Sequence, residues 1–276
     1  MDLTISALII AFIIGVVFGS FACCQAWRLR LKAQGKKSPG SRSVCINCHK
    51  KLKWYDNIPI ISWLILRGQC RYCKKPIGAA EILAELGMGL AFVGVSWPYF
   101  SDFHPDSSLT FILQTIAYVV LLVMLVVLGI LAVYDAKWGE LPLFLLIISI
   151  ICGIIVGVVN SWIKISAGAN PTHIIIGAAF GIILLAGLYF LFYKVSNERW
   201  MGGGDWLLAL GIACALSDWW LALWVLFLSN LIGSLVMLPF AVKHKNHKVH
   251  FGPFMVVAFI LVVTFAKFLS GMMAMI

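Results

Sequence analysis

Asp135 and Asp205 are the residues whose type and placing could do chemistry. Asp135 closes a long apolar run as Ala132-Val133-Tyr134-Asp135. Asp205 ends the glycine run Gly202-Gly203-Gly204-Asp205 and opens another apolar stretch. A lone carboxylate at a membrane boundary is costly and normally pairs or reaches for water. Two of them, on segments that reach the same side of the bilayer, could share one proton. One carboxyl then acts as acid and the other as base on a peptide bond. The ionised one takes a proton from a water lodged between them. The protonated one donates toward the scissile carbonyl and then the leaving amine, and no metal is required. The plainer readings are a helix-end charge for Asp135, paired with Lys137, and a helix N-cap for Asp205.

A second constellation is Cys45-Ile46-Asn47-Cys48 with Cys70-Arg71-Tyr72-Cys73. Four thiolates on two CxxC turns suit a tetrahedral Zn²⁺ site. Four sulfurs leave no open position for water or substrate, so such a zinc is structural. The surrounding segment is expected in the cytoplasm, where disulfides are disfavoured. Cys23, Cys24, Cys152 and Cys214 lie in apolar runs and read as packing residues. His49, beside one turn, reads as solvated.

The elements that carry these residues follow from composition. The chain has 276 residues, 62% of them hydrophobic, and a mean hydropathy of +1.00. These values exclude an ordinary soluble domain and indicate an all-α polytopic membrane protein of about eight transmembrane helices with a small zinc-bound cytoplasmic loop domain. The expected spans are 3–27, 79–100, 109–134, 141–161, 172–193, 205–217, 219–241 and 252–274. The sixth is short, and could be tilted or begin inside the membrane at the glycine run. The segment 28–78 carries thirteen Lys and Arg against one acid, Asp56. Lys137, Lys194, Arg199, Lys243, Lys245 and Lys248 fall in loops of the same side. Only Lys164 and Lys267 depart from the pattern, so the positive-inside rule puts these loops in the cytoplasm and both termini outside. The net charge of +10 is then a topological signal, with anionic lipid a natural contact. Nucleic acid is not expected as a partner, because the charge hugs the membrane. Asp2 precedes the first apolar run and Arg28 follows it, the reverse of a cleavable signal peptide, so 1–27 reads as an uncleaved anchor. The expected organisation is this anchor, the basic zinc loop 28–78 and a membrane core 79–276. No internal repeat stands out.

Longer motifs carry a resemblance. Trp54-Tyr55-Asp56-Asn57-Ile58-Pro59-Ile60-Ile61-Ser62-Trp63, followed by Leu66-Arg67-Gly68-Gln69-Cys70-Arg71-Tyr72-Cys73, resembles the loop of type IV prepilin peptidases, which are GxGD intramembrane aspartyl peptidases. The resemblance continues through Gly19-Ser20-Phe21, Asp135 with Leu141-Pro142, the GxGD of Gly202 to Asp205, and Phe251-Gly252-Pro253-Phe254. It implies an aspartic endopeptidase of the bacterial inner membrane. Such an enzyme removes the basic leader of type IV prepilins or pseudopilins after a glycine, at the cytoplasmic face. Many members also methylate the new N-terminus with S-adenosylmethionine. By matching motifs, Asp135 and Asp205 are the catalytic pair and Cys45, Cys48, Cys70 and Cys73 the zinc ligands. No residue is assigned to the methyl donor, whose transfer is expected on the loop and adjoining span ends. The chain departs from the family at Ala22 and Cys23, where Leu-Asn is common, and at Leu207, where Lys is common.

Other acids have plainer expectations. Glu81 and Glu85 share a helix face and could meet a basic leader, a cofactor, or Lys74 and Lys75. Asp56 is expected to cap a turn with Asn57, and Asp102, Asp106 and Asp218 to lie in outer loops. Glu140 and Glu198 read as interfacial. Competing functions are a GxGD peptidase with another substrate, a transporter using the two aspartates as a proton relay, and a membrane-anchored zinc module that binds a partner.

Overall fold

A computed structural model describes residues 3–36, 40, 43–101, 107–196, 201–243 and 250–273. The expectations for Asp2, Lys37, Arg42, Asp102, Asp106, Glu198, Arg199, Lys245 and Lys248 lie outside the described residues. The protein divides into two compact units, 1–96 and 97–276. Among the described residues the regular structure is helical, and the only strand-like pairings are two isolated bridges.

Unit 1 contains α1 (Leu3–Ala33), a 3₁₀ turn (Trp54–Asn57), the one-turn α2 (Ile61–Ile65) and most of α3 (Ala80–Ser101). The helices α1 and α3 meet backbone to backbone. Gly15 and Gly19, spaced GxxxG, lie against Met88, Gly89 and Ala84, Glu85, and Gly89 receives Phe12 and Val16. Small residues at this spacing allow close helix contact where lipid offers no hydrophobic contrast. The helix α1 continues to Ala33, beyond the expected end at 27, and so carries Arg28, Arg30 and Lys32.

Unit 2 contains α4 (Ser108–Trp138), α5 (Leu143–Ser166), α6 (Pro171–Ile182), a π-helical turn (Ile183–Gly187) running into α7 (Leu188–Ser196), α8 (Gly203–Leu216), α9 (Trp219–Lys243), α10 (Gly252–Thr264) and α11 (Ala266–Met273). At its centre α8 packs on α5. A second GxxxG pair, Gly153 and Gly157, admits the backbone of Gly211 and Cys214. The fully buried side chains Leu128, Leu131, Leu146, Leu208, Ile212, Met255 and Phe259 fill the space among α4, α5, α8 and α10.

All eight apolar segments are helical, but they do not span alike. Among the described residues, six helices are long and apolar enough to cross a membrane, with α6 through α7 (Pro171–Ser196) counted as one. The α10–α11 pair makes a seventh only as a span bent by 73°, so the expected run 252–274 is broken. With 14 residues, α8 falls below the roughly 20 that a crossing needs. It therefore fits a helix that starts within the membrane at the glycines.

Candidate active site

The glycines explain how the two aspartates meet. The helix α4 ends one turn past Asp135. Gly139 takes the left-handed conformation (φ 65°), and its N–H donates to the Asp135 carbonyl at 2.8 Å. The chain then passes through Leu141 to Pro142, the N-cap of α5. Leu141 lies against Gly204, where a Cβ would come within 2.7 Å of the Leu141 Cβ. Only glycine lets the start of α8 rest on the loop that leaves Asp135.

Asp205 is not the N-cap of α8. Gly202 holds that place, and Asp205 is the third helical residue. Its Oδ2 turns back to accept the Gly202 N–H at 3.1 Å, half of a capping box. The positive end of the helix dipole favours a carboxylate there, whereas Asp135 sits at the opposite, unfavourable end of α4. Asp135 is instead steadied by α10. Its Oδ2 accepts the Gly252 N–H at 2.9 Å, and its Oδ1 faces His250 Nδ1 at 3.8 Å. A Cβ on Gly252 would stand 2.8 Å from that Oδ2, so this approach also requires glycine. The two acids are 4% and 7% exposed and close enough for their charges to interact.

Around the acids, Tyr189 is buried against Phe251 with ring centroids 5.7 Å apart. Its hydroxyl shares a hydrogen bond with Ser229 at 3.0 Å and accepts one from the Asn230 amide at 3.3 Å. Sequence reasoning did not single out His250 or Tyr189. It quoted Phe251-Gly252-Pro253-Phe254 without giving the Gly252 amide a role. The signal for His250 was its place immediately before that motif. For Tyr189 no local pattern set it apart from other aromatic residues.

Four of the cysteines of unit 1, Cys45, Cys48, Cys70 and Cys73, also converge. Each offers one sulfur, and the four sulfurs lie within 4.8 Å of one another, with Cys45 and Cys73 at 3.9 Å. A tetrahedral zinc with bonds of about 2.3 Å needs sulfurs roughly 3.8 Å apart, so the residues fit the metal. Two like turns build the cluster. Cys45 N–H donates to Lys50 O and His49 N–H to Cys45 O. Cys70 N–H donates to Lys75 O and Lys74 N–H to Cys70 O. His49 and Lys74 take positive φ at matching places, and the bridges Val44–Lys51 and Gln69–Pro76 close the two turns. This local duplication was not visible as a sequence repeat. Burial pushes the Cys70 thiol up, but the amides of Cys73 and Tyr72 and the neighbouring thiols outweigh it and bring the group down to about 7. At Cys48 the Lys50 amide favours the thiolate. Burial and the other three thiols outweigh that and push it up to about 11. Four adjacent thiols resist full ionisation unless a cation lies among them.

The chain is similar to known proteins over most of its length. Residues 13–99 match the bacterial peptidase A24 N-terminal domain and residues 122–238 match the type IV leader peptidase family. A prepilin leader peptidase/N-methyltransferase of Dichelobacter nodosus is 30% identical over 220 residues, covering 80% of this chain and 69% of that protein. The chain belongs to the type IV leader peptidase family. Proteins of the same name from Aeromonas hydrophila and Pseudomonas aeruginosa are 28% and 26% identical over 223 and 219 residues. They cover 79% and 78% of this chain and 69% of each relative. No solved structure matches. This leader peptidase is therefore an enzyme and a multi-pass membrane protein, with a cysteine cluster able to hold a metal ion.

Three further acids of this peptidase are engaged structurally. Asp56 Oδ2 accepts the Lys53 N–H at 3.2 Å and its Oδ1 accepts Arg71 Nε at 2.7 Å. It caps the 3₁₀ turn as expected, with Lys53 rather than Asn57 as partner. Glu85 is buried and accepts the Ile60 N–H at 2.7 Å. Asp218 Oδ1 accepts the Trp220 N–H at 2.8 Å and caps the start of α9.

Proposed function

We propose that this chain cleaves the basic leader of type IV prepilins or pseudopilins after a glycine, at the cytoplasmic face of the inner membrane, with Asp135 and Asp205 as the catalytic pair. The observation that carries this reading is the meeting of the two buried carboxylates. Each is held on one oxygen by a backbone amide, from Gly252 and Gly202. Those amides orient the carboxylates and leave the other oxygens for reacting groups. Water sits between the acids, and the ionised one takes its proton as the water oxygen attacks the scissile carbonyl carbon. The protonated one gives its proton to the carbonyl oxygen. The proton taken from water passes to the leaving amine, and the tetrahedral diol collapses with C–N cleavage as one of its hydroxyls returns a proton to the acid that had given it. The basic loops support the cytoplasmic placing.

The functional division is an anchor at 1–27, a zinc loop at 28–78 and a peptidase core at 79–276. Cys45, Cys48, Cys70 and Cys73 would hold a structural Zn²⁺, which ties together a loop too small for a core of its own. Methylation of the new N-terminus is the second half of the proposal, supported by the names of the relatives. S-adenosylmethionine supplies the methyl group. The amine must be neutral to accept it, a demand unlike that of the carboxylate pair. Among the described residues the buried acid of unit 1, Glu85, is already engaged by the Ile60 amide, and no residue is assigned to the donor.

The test is co-expression with a type IV prepilin, reading the product's mass and N-terminal residue. The expected product starts just after a glycine and carries one added methyl. An uncut prepilin overturns the peptidase reading for that substrate class, and a cut product that never gains a methyl's mass overturns the methylation half.

A further inference from the structure

Ile60 occupies a conformation that a β-branched residue rarely takes. Its φ is 60° and ψ −55°, and the N–H of Ile61 donates to the carbonyl of Pro59. This is the γ-turn with positive central φ, a rare and strained form. The turn persists because the Ile60 N–H is tied to the buried Glu85 carboxylate at 2.7 Å. Strain held by a buried acid points to a segment whose direction matters.

The turn sets the direction of α2. Trp63 is its inward anchor. The indole N–H donates to Gly78 O at 2.9 Å, and the ring lies against Gly68. Ile61, Leu64 and Ile65, at i, i+3 and i+4, share the other face, and all three are exposed. Ile65 is 70% exposed, and Trp54, eleven residues earlier, 79%. A one-turn helix in a soluble loop turns such a stripe inward. Here the apolar side faces out beside the exposed cations Lys53 and Arg67, with Lys74 and Lys75 on the same loop. Asp56, the one acid of 28–78, is neutralised by Arg71.

We propose that segment 54–65 lies in the interface of an anionic membrane, with Trp54, Ile61, Leu64 and Ile65 among the acyl chains and the flanking cations at the headgroups. Both ends of this loop run into helices long and apolar enough to cross a bilayer, so lipid is always within reach. Outward aliphatic residues, a tryptophan and an uncompensated positive rim are the chemistry of a peripheral membrane contact. Unit 1 is thereby held at the surface by its cytoplasmic loop as well as by its spanning helices. The inference rests on membrane insertion and not on the peptidase chemistry.

The test uses the full-length protein in vesicles of phosphatidylglycerol and phosphatidylethanolamine. The photoreactive Leu64→p-benzoylphenylalanine variant is compared with Asn47→p-benzoylphenylalanine, placed on an exposed residue of the first cysteine turn. After illumination, the Leu64 site should carry phospholipid adducts in severalfold excess over the Asn47 site. The excess should shrink in vesicles of phosphatidylcholine. Adducts to a protein chain at Leu64, equal yields at the two sites, or a yield indifferent to lipid charge would overturn the proposal.

Discussion

Unit 1 builds its cysteine cluster from two short turns that each carry two ligands. Unit 2 builds its acid pair from the ends of helices far apart in the chain. In unit 1 the hydrogen bonds that shape each turn lie within a few residues of the cysteines. In unit 2 Asp135 depends on the Gly252 amide, which comes from another helix altogether. A locally built site can be perturbed one turn at a time. A site at converging helix ends depends on backbone approaches that single methyl groups can spoil. The two should therefore fail differently.

The largest effect is expected at the acids. Asp135→Asn or Asp205→Asn keeps shape and an acceptor for the Gly252 or Gly202 amide, but cannot take a proton from water. Leader cleavage should fall by about 10³-fold or more, with membrane insertion and metal content unchanged. Cleavage of a prepilin at near wild-type rate by either variant would sink the pairing of these acids. Next comes Gly252→Ala, which leaves every titratable group in the chain. Its methyl would press on the Asp135 carboxylate from 2.8 Å. A displacement of that order should lower cleavage by about 100-fold, read as kcat/KM on a purified prepilin. Full activity would mean that the α10 start does not position Asp135.

The same contrast explains what could be read from the residues alone. The CxxC pairs announce their cluster because tetrahedral thiolate sites recur at such spacings. The apolar runs announce helices because the bilayer demands satisfied backbone. The aspartates were conspicuous because an acid at a membrane boundary is expensive. The partners of Asp135 were hidden, since nothing local to Gly252 or His250 shows that α10 begins against α4. The break at Phe265 was hidden too, for no glycine or proline marks it. Pro59 opens the γ-turn at Ile60, but nothing in the sequence gives a β-branched residue a positive φ. Asp205 sits three residues into its helix instead of at the cap because Gly202 takes the extended cap conformation first.

A smaller effect on cleavage is expected from the cysteines. Cys45→Ser removes one of four sulfurs, so purified protein should lose most of its zinc and 28–78 should become sensitive to protease. The acid pair lies in the other compact unit, so cleavage of a prepilin should stay within about tenfold of wild type. Metal analysis of the wild-type protein with no zinc, and four freely titratable thiols, would remove the metal from unit 1. A loss of cleavage matching that of Asp135→Asn would show that the two sites are not separate in function.

The smallest effect, and the one that most sharpens the contrast, is at His250. Its Nδ1 stands 3.8 Å from Asp135 Oδ1, outside hydrogen-bonding distance, while the Gly252 amide at 2.9 Å holds the other oxygen. If backbone approach governs the unit 2 site, the imidazole is a secondary support. His250→Gln keeps a polar group of similar reach but removes the ring and its possible charge. Losing one weak polar contact of this kind costs about 1 kcal/mol, or roughly fivefold in kcat/KM. Steady-state cleavage of a prepilin by this variant and by Gly252→Ala, in one assay, ranks the two supports. A fall as deep as that of Asp135→Asn would make His250 a reacting group. An unchanged rate would leave the glycine amide as the support on which the carboxylate depends.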